Sequence, residues 1–262
     1  MKLFLRLCFL GTKYCGYQVQ ENALSVQEVL NQAAERVFGH PCDIVGCSRT
    51  DSGVHAEEFC VSITKKGEKG LETSIPTAKI PTAMNCFLPD DIAVLEASFM
   101  PEDFHARYDV KYKEYVYRIW NGEVRNPFLS DRMTFLPTPI DECALAKANE
   151  AARAFVGKQD FRAFMASGSK VTDTVRTVYH AELKREGNVI SFYVAADGFL
   201  YNMVRIMAGT LIDVLLGRKQ PSEMSDIIAG LDRHRAGSTA PAAGLYLHRV
   251  SYKEYEEKGG EV

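Results

Sequence analysis

The segment "SVQEVLNQAAERVFG", residues 25–39, has the pattern of an amphipathic helix with both of its ends marked. Ser25 is a favourable N-cap, and Glu28, three residues later, completes a capping box. Gly39 is suited to end the helix in a left-handed conformation. The apolar side chains that form one face are Val26, Val29, Leu30, Ala33, Val37 and Phe38. We therefore predict a helix that buries this face.

The segments on either side of this helix have the patterns of strands and of one weaker helix. Residues 2–10 place Leu3, Leu5, Leu7 and Phe9 at every second position, which predicts a strand. Strands are also predicted over 59–64 and 92–99, with the weaker helix over 76–86.

The second half of the chain repeats this order. Predicted strands cover 114–120, 176–183, 189–195 and 245–252. Gly187 and Asn188 form the turn of a hairpin. Helices are predicted from Asp141 to Gly157, over 199–217, and after Pro221. Each half thus reads roughly as β-α-β-β-α-β, the order of a ferredoxin-like unit. We expect an α+β protein of two pseudo-symmetric halves, residues 1–105 and 106–262, whose sheets form a central cleft.

Composition excludes several classes of protein. The apolar start is interrupted by Arg6 and lacks a cleavage site, and no apolar run is long enough to cross a bilayer. Seven cysteines without a CxxC pair indicate reduced thiols, so we expect a cytoplasmic protein. The net charge of −3 argues mildly against nucleic-acid binding. However, residues 153–185 carry seven basic and three acidic side chains, a local excess of +4.

Metal and nucleotide chemistry have little support in the sequence. Cys42, Cys47, His55 and Cys60 lie close together, but their spacing matches no common zinc pattern, and buried free cysteines are common. The glycine-rich phosphate motifs GxxxxGK[ST] and GxGxxG are absent from the strand–helix junctions, and GxSxG is absent as well.

The loop "GCSRTDSGVHA", residues 46–56, contains Asp51 beside Arg49 and Thr50. The residue types alone favour an Asx-turn with a solvated arginine. The alternative is a loop that holds one carboxylate for chemistry, because functional residues are often found on loops.

Arg205 lies within the most apolar predicted helix, between Val204 and Ile206. A buried charge is costly unless it is paired. Arg205 could reach water at the edge of the apolar face, or it could pair with a carboxylate and keep that group ionised. Asp197 and Asp213 are rival partners to Asp51.

Tyrosines and cations alternate over residues 104–120. The tyrosines are Tyr108, Tyr112, Tyr115 and Tyr117, and the cations are Arg107, Lys111, Lys113 and Arg118. This mixture suits unstacked bases and phosphates, although alternating tyrosines are also ordinary in strands.

Together these segments resemble the tRNA pseudouridine synthase A family over nearly the whole chain. "GCSRTDSGVHA" resembles its catalytic-loop motif, the most specific of the matches, and residues 25–39 resemble its first helix. "KYCGYQVQ" (13–20) resembles an early segment in which Tyr17 replaces a more usual tryptophan. Three other segments match in order: "FHARYDVKYKEYVYRI" (104–119), "NMVRIMAGTLIDVLLGR" (202–218) and "APAAGLYL" (240–247).

The resemblance implies isomerisation of uridine to pseudouridine at nucleotides 38–40 of the tRNA anticodon stem-loop. It implies a pseudouridine synthase fold, a cytoplasmic homodimer, and no metal or organic cofactor. By motif position Asp51 is the catalytic aspartate, Arg205 its ion-pair partner, and Arg49 a residue that helps to extrude or replace the flipped base. Tyr115 corresponds to the tyrosine that packs on the target base, ahead of Tyr112 and Tyr117, and Leu245 lines the base pocket.

Two alternatives remain at this stage. A non-catalytic RNA-binding protein could share the fold, although the intact Arg49-Thr50-Asp51 sequence argues against it. A cysteine-based metal or redox protein would require bound zinc or a reactive thiol.

Overall fold

The structure is a computed structural model that describes residues 1–168 and 171–256. Lys170, one of the basic residues of the 153–185 stretch, lies outside the described residues. The chain divides into two compact units. Unit 1 comprises Met1–Val110 and Tyr246–Tyr252, and unit 2 comprises Lys111–Leu245 and the residues from Lys253 onwards. Both mix helices with strands, which confirms the predicted α+β class.

Unit 1 contains β1 (Lys2–Phe9), α1 (Val26–Phe38), β2 (Cys42–Gly46), β3 (His55–Lys65), α2 (Ile80–Asn85) and β4 (Ile92–Met100). β1 pairs antiparallel with both β3 and β4, and β2 pairs antiparallel with β3. The element order is therefore β-α-β-β-α-β. The sequence pattern missed β2, because its five residues contain only Ile44 and Val45 as strongly apolar side chains.

Helix α1 has the predicted ends. The Ser25 side chain accepts a hydrogen bond from the Glu28 backbone N–H at 3.2 Å, and Gly39 ends the helix with a φ of 74°. The buried residues of α1 include Val26, Leu30, Ala33 and Ala34. The alternating leucines of β1 are likewise fully buried.

Unit 2 contains β5 (Tyr112–Trp120), β6 (Thr134–Phe135), α3 (Glu142–Arg153), β7 (Gly157–Asp160), β8 (Val175–Glu186), β9 (Val189–Ala196), α4 (Met203–Leu215) and α5 (Glu223–Gly230). β9 lies between β5 and β8 and is antiparallel to both, and β7 pairs antiparallel with β8. β6 pairs parallel with β5. The last strand among the described residues is β10 (Leu245–Ser251), which pairs parallel with β3 at Tyr246 and Leu247.

Three predicted helices are shorter than expected. The weaker helix, predicted over 76–86, is α-helical only over Ile80–Asn85. α3 ends at Arg153 rather than Gly157, because Gly157 already pairs with Val178 as the first residue of β7. α4 begins at Met203 rather than 199, because Asn202 has a φ of 59°, which is not a right-handed helical value. Within residues 1–168 and 171–256, no helix has both the length and the apolarity that crossing a membrane requires.

Candidate functional site

Residues 47–54, here called the Asp51 loop, connect β2 to β3. Two hydrogen bonds join Cys47, the first residue of the loop, to Cys60 on β3. The Cys47 N–H donates to the Cys60 carbonyl at 2.8 Å, and the Cys60 N–H donates to Cys47 Sγ at 3.3 Å. Its end is a turn in which the Val54 N–H donates to the Asp51 carbonyl at 3.1 Å, with Gly53 at a φ of 77°. A positive φ at this third turn position favours glycine.

The segment 11–17, here called the cradle segment, holds the Asp51 loop through backbone atoms. The Tyr17 N–H donates to the Thr50 carbonyl, and the Tyr14 carbonyl accepts from both the Gly53 N–H and Ser52 Oγ, each at 3.3 Å. These contacts fix the backbone on both sides of Asp51, so the orientation of its side chain does not depend on a flexible loop.

Two glycines of the cradle segment allow this approach. A Cβ at Gly11 would lie 2.0 Å from the Val54 carbonyl oxygen, and one at Gly16 would lie 2.4 Å from the Thr50 carbonyl oxygen. Gly16 also has a φ of 82°, a region that L side chains rarely adopt. Any side chain at either position would push the Asp51 loop away.

Exposure alternates along the loop. Arg49 is exposed, Thr50 is buried, and Asp51 is half-buried. Arg49 is thus accessible to a large ligand, while the backbone beside the Asp51 carboxylate is anchored through the buried Thr50.

His55, which follows the loop, is a structural residue. It is fully buried, its ring stacks on Tyr246 with centroids 4.6 Å apart, and its Nδ1 accepts from the Gly11 N–H at 3.0 Å. An accepting Nδ1 is unprotonated, so the neutral ring carries its proton on Nε2. The histidine of the "GCSRTDSGVHA" segment therefore joins the cradle segment to β3.

In unit 2, Arg205 is held by two neighbours, which together we call the Arg205 clamp: Asn202 and Ala240. The Arg205 Nε donates to the Ala240 carbonyl and its Nη1 donates to Asn202 Oδ1, both at 2.8 Å. The Ala240 N–H donates back to the Arg205 carbonyl at 3.0 Å. Arg205 is the third residue of α4, where the helix dipole is positive, so the site favours an anion.

Asp213 and Asp197, the other carboxylates considered as partners of Arg205, interact with other groups. Asp213 lies eight residues further along α4, about 12 Å along the axis, and pairs with Arg218 at 3.5 Å. Asp197 Oδ1 accepts from the Thr177 N–H at 2.9 Å.

The segment that holds Arg205 also contacts the tyrosine strand. The Tyr117 hydroxyl donates to the Pro241 carbonyl at 2.9 Å, and a Cβ at Gly244 would lie 2.7 Å from the Tyr117 ring. Leu245 is buried directly after this glycine. Unit 2 thus gathers Arg205, Leu245 and the strand of Tyr115 around residues 240–245.

The three candidate tyrosines have different surroundings. Tyr115 is buried and meets Phe199 edge-to-face at 5.0 Å. Tyr117 is fully buried, and burial raises its pKa to about 12. Tyr112 contacts the rings of Tyr179 and Tyr255 edge-on.

Cys42 and Cys60 have the environment of structural thiols. Burial raises the pKa of Cys60 well above its usual range and that of Cys42 to about 11, so both remain protonated near neutrality. In the part of the chain that the structure describes, no three histidine, cysteine or acidic side chains are grouped so that they could hold a metal ion.

Comparisons with known proteins match this chain to tRNA pseudouridine synthases over most of its length. A family model described as tRNA pseudouridine synthase matches residues 8–109 and 151–253. The "tRNA pseudouridine synthase A" of Ruminiclostridium cellulolyticum is 43% identical over 252 residues, which cover 96% of this chain and 99% of that protein. Those of Thermoanaerobacter pseudethanolicus and Acetivibrio thermocellus are each 42% identical and cover 92% of this chain and 96% of their own.

Among solved structures, a chain from "Crystal Structure of a Cbf5-Nop10-Gar1 Complex" aligns with a TM-score of 0.36 and 12% identity. The alignment covers 94% of this chain and 48% of that one. A similarity this distant supports no conclusion about this chain.

Sequence reasoning missed Asn202, Ala240 and the two glycines of the cradle segment. Gly16 lies in the segment 13–20 that resembles the family. Its contact with Thr50, however, joins residues more than thirty positions apart, which no local pattern indicates. Asn202 directly precedes the predicted apolar residues of α4 without any pattern that indicates its positive φ.

Proposed function

The chain belongs to the tRNA pseudouridine synthase family, and from this premise we propose that it uses Asp51 to modify nucleotides 38–40 of the anticodon stem-loop. As a member, it is an isomerase that converts uridine to pseudouridine in tRNA. The position within the tRNA and the roles of individual residues are our proposal.

The reaction needs one carboxylate and a well-held nucleotide. It breaks the N1–C1′ bond, turns the uracil, joins C5 to C1′, and moves the C5 proton, so that no atom is gained or lost overall. No oxidant, metal or organic cofactor is required for this balance. Asp51 could attack the sugar or the base covalently, or remove a C2′ proton to give a glycal-type intermediate. Both paths begin with an ionised carboxylate.

Arg205 would keep that carboxylate ionised. We assign it as the ion-pair partner of Asp51, because its guanidinium is oriented by the Arg205 clamp at the positive end of α4. Since a nearby cation favours the charged form of a carboxylic acid, this pairing would maintain activity toward lower pH.

Three further residues would hold the nucleotide. Tyr115 would pack on the target uracil, and Leu245 would line the base pocket. Arg49, exposed on the Asp51 loop, would help to extrude the base or take its place in the stem. Extrusion costs roughly a few kcal/mol, which cationic contacts to phosphates would offset. The proposal includes a cytoplasmic homodimer.

The observation that carries this proposal is the immobilised backbone of the Asp51 loop. Three hydrogen bonds and two close glycine contacts from the cradle segment hold the loop, and a fourth hydrogen bond holds His55 directly after it, an arrangement that an ordinary solvated turn does not require. It supports a carboxylate positioned for chemistry.

The test is Asp51→Ala, assayed by release of tritium from C5-labelled uridine in tRNA. We expect turnover to fall at least about a thousandfold, as when a covalent or general-base group is removed, with tRNA binding retained. Asp43→Ala is the matched control, because Asp43 lies exposed on β2 just before the loop. It should retain activity.

Turnover retained in Asp51→Ala would reject the assignment. If neither the wild-type protein nor any variant released tritium while tRNA still bound, the non-catalytic RNA-binding alternative would be correct.

A further inference from the structure

Asp91 lies in the turn between α2 and β4, and its carboxylate is largely buried although the proposed reaction does not use it. The side chain is only 11% exposed. Oδ1 accepts from the Tyr14 hydroxyl at 2.5 Å, and Oδ2 pairs with Lys13 Nζ at 3.1 Å. The backbone carbonyl of Asp91 accepts from the Leu10 N–H at 2.9 Å. Asp91 thus bonds to the cradle segment and to the residue directly before it.

Tyr14 is the residue through which Asp91 reaches the Asp51 loop. Its side chain is buried, and its hydroxyl bonds to Asp91. At its other end, the Tyr14 carbonyl accepts from the Gly53 N–H and from Ser52 Oγ. These are the two residues that directly follow Asp51. One tyrosine therefore joins the Asp91 carboxylate to the backbone beside the proposed catalytic aspartate.

The contact between Tyr14 and Asp91 is the strong part of this chain of bonds. A buried tyrosine hydroxyl needs a hydrogen-bond partner, and a bond to a carboxylate is stronger than one to a neutral acceptor. Burial, followed by the negative charge of Asp91, raises the pKa of Tyr14 well above its usual range, so the hydroxyl stays protonated and donates. Lys13 is 78% exposed, and an ion pair made by so exposed a group contributes little.

The contact between Tyr14 and the loop is the sensitive part. Both bonds to the Tyr14 carbonyl measure 3.3 Å, at the long end of hydrogen-bond distances. A shift of this carbonyl by a few tenths of an ångström would therefore break them. The hydrogen bond from Tyr17 to Thr50 holds only the side of the loop that precedes the aspartate.

We propose that Asp91 is a positioning residue for the isomerisation. Through Tyr14 it fixes the carbonyl that holds Ser52 and Gly53, and with them the Asp51 carboxylate. Asp91 acts through Tyr14 and not on the nucleotide. The inference rests on the catalytic role proposed for Asp51.

The first experiment compares Asp91→Ala with Asp90→Ala by tritium release over a range of tRNA concentrations. A displacement of about 1 Å can cost about a hundredfold in rate. Since the Tyr17 bond to the loop remains, we expect kcat to fall about tenfold in Asp91→Ala, with KM for tRNA unchanged within about twofold. Asp90 is the exposed neighbour in the same turn, so its variant is the matched control and should keep the wild-type kcat.

The second experiment is a double-mutant cycle with Tyr14→Phe and Asp91→Ala. If the two residues act through their shared hydrogen bond, the double variant should lose about tenfold in kcat, as each single variant does. Independent effects would multiply to about a hundredfold. Asp91→Asn is the conservative variant. It keeps an acceptor oxygen for the Tyr14 hydroxyl, so it should lose only about threefold.

The third experiment measures the loop itself, without RNA. Amide hydrogen exchange of the peptide that contains residues 52–54 should be about tenfold faster in Asp91→Ala than in the wild type or Asp90→Ala. This result does not depend on the catalytic assignment. Turnover retained in Asp51→Ala would reject that assignment, whereas an inactive Asp51→Ala beside a fully active Asp91→Ala would reject only the present inference.

Four outcomes would overturn the proposal: a wild-type kcat in Asp91→Ala, an equal loss in Asp90→Ala, multiplicative losses in the cycle, or unchanged exchange at residues 52–54. A folded Asp91→Ala protein that is less stable in urea but has the wild-type kcat would show a structural role alone. A higher KM with an unchanged kcat would assign Asp91 to tRNA binding instead.

Discussion

The Asp51 loop and the Arg205 clamp position their charged side chains by different kinds of contact. Around Asp51 the contacts are made by backbone atoms, and glycines are needed because there is no space for a Cβ. Around Arg205 a side-chain amide and one carbonyl grip the guanidinium itself. The first arrangement tolerates almost no added volume, whereas the second is sensitive to the loss of a single hydrogen-bond acceptor.

Arg205→Leu should have the largest effect of the variants that compare the two regions. Asp51 and Arg205 are both half-buried, and a hydrogen bond to a charged group contributes about 1.5–3 kcal/mol, so we expect kcat/KM to fall by roughly tenfold to 150-fold. If Arg205 pairs with Asp51 as proposed, the Asp51 carboxylate should hold its proton to higher pH without the cation, so the acidic limb of the pH–rate profile should move upward. Tritium release measured across pH checks both effects.

Arg218→Leu is the control for that variant. Arg218 follows the same helix and pairs with Asp213 at the surface, where ion pairs contribute little. It should keep the wild-type profile. An acidic limb that is unchanged in Arg205→Leu would contradict the pairing with Asp51.

Gly16→Ala tests the backbone contact of the Asp51 loop. A positive φ costs an alanine about 1–2 kcal/mol, and the overlap with the Thr50 carbonyl adds about 1–3 kcal/mol. We expect unfolding in urea to show a loss of about 2–5 kcal/mol in total. A displaced carboxylate should lower activity by about tenfold to a hundredfold.

Gly39→Ala separates these two contributions. Gly39 has a φ of 74°, but an added Cβ would meet nothing within 4 Å. We expect this variant to lose only about 1–2 kcal/mol and to keep full activity. Equal losses of activity in the two variants would show that the contact with Thr50 is unimportant.

Asn202→Gly should have a smaller effect on activity. Glycine accepts the positive φ at this position, so the variant removes the acceptor for Arg205 Nη1 without straining the backbone. A hydrogen bond to a charged group contributes about 1.5–3 kcal/mol. Because the Ala240 contact remains, we expect kcat to fall about tenfold and the acidic limb to shift modestly.

Asn202→Asp is the conservative variant, since it keeps an acceptor oxygen. Its added negative charge also competes with Asp51 for the Arg205 guanidinium, so most of the lost kcat should return only above the acidic limb, which should move further upward. A structural role alone would instead lower stability in both variants while leaving the pH profile unchanged.

The smallest expected effect concerns the rates at which the cysteines are labelled. At neutral pH, iodoacetamide should modify the exposed Cys15, Cys86 and Cys143 and spare the buried Cys47 and Cys60 at the base of the Asp51 loop. Burial raises the pKa of Cys60, which lowers its thiolate fraction. Mass spectrometry should detect faster labelling of Cys60 in Gly16→Ala. Equal rates for Cys60 and Cys15 in the wild-type protein would indicate that the loop base is open.

Prediction from sequence succeeded where the information is local. The ends of α1 follow from Ser25 and Gly39, which act within one turn of the helix. The strand β2 was not predicted because only Ile44 and Val45 of its five residues are strongly apolar, and its pairing with β3 leaves no local pattern. The early start predicted for α4 failed because apolar periodicity carries no information about the φ of Asn202.

The amino-acid order was sufficient to indicate the α+β class, the family, and Asp51 and Arg205 as candidate residues, because helix caps, strand alternation and short motifs act over a few positions. The cradle segment and the clamp on Arg205 emerged only from the folded chain. These features join residues that are far apart in sequence and meet only when the surrounding elements pack.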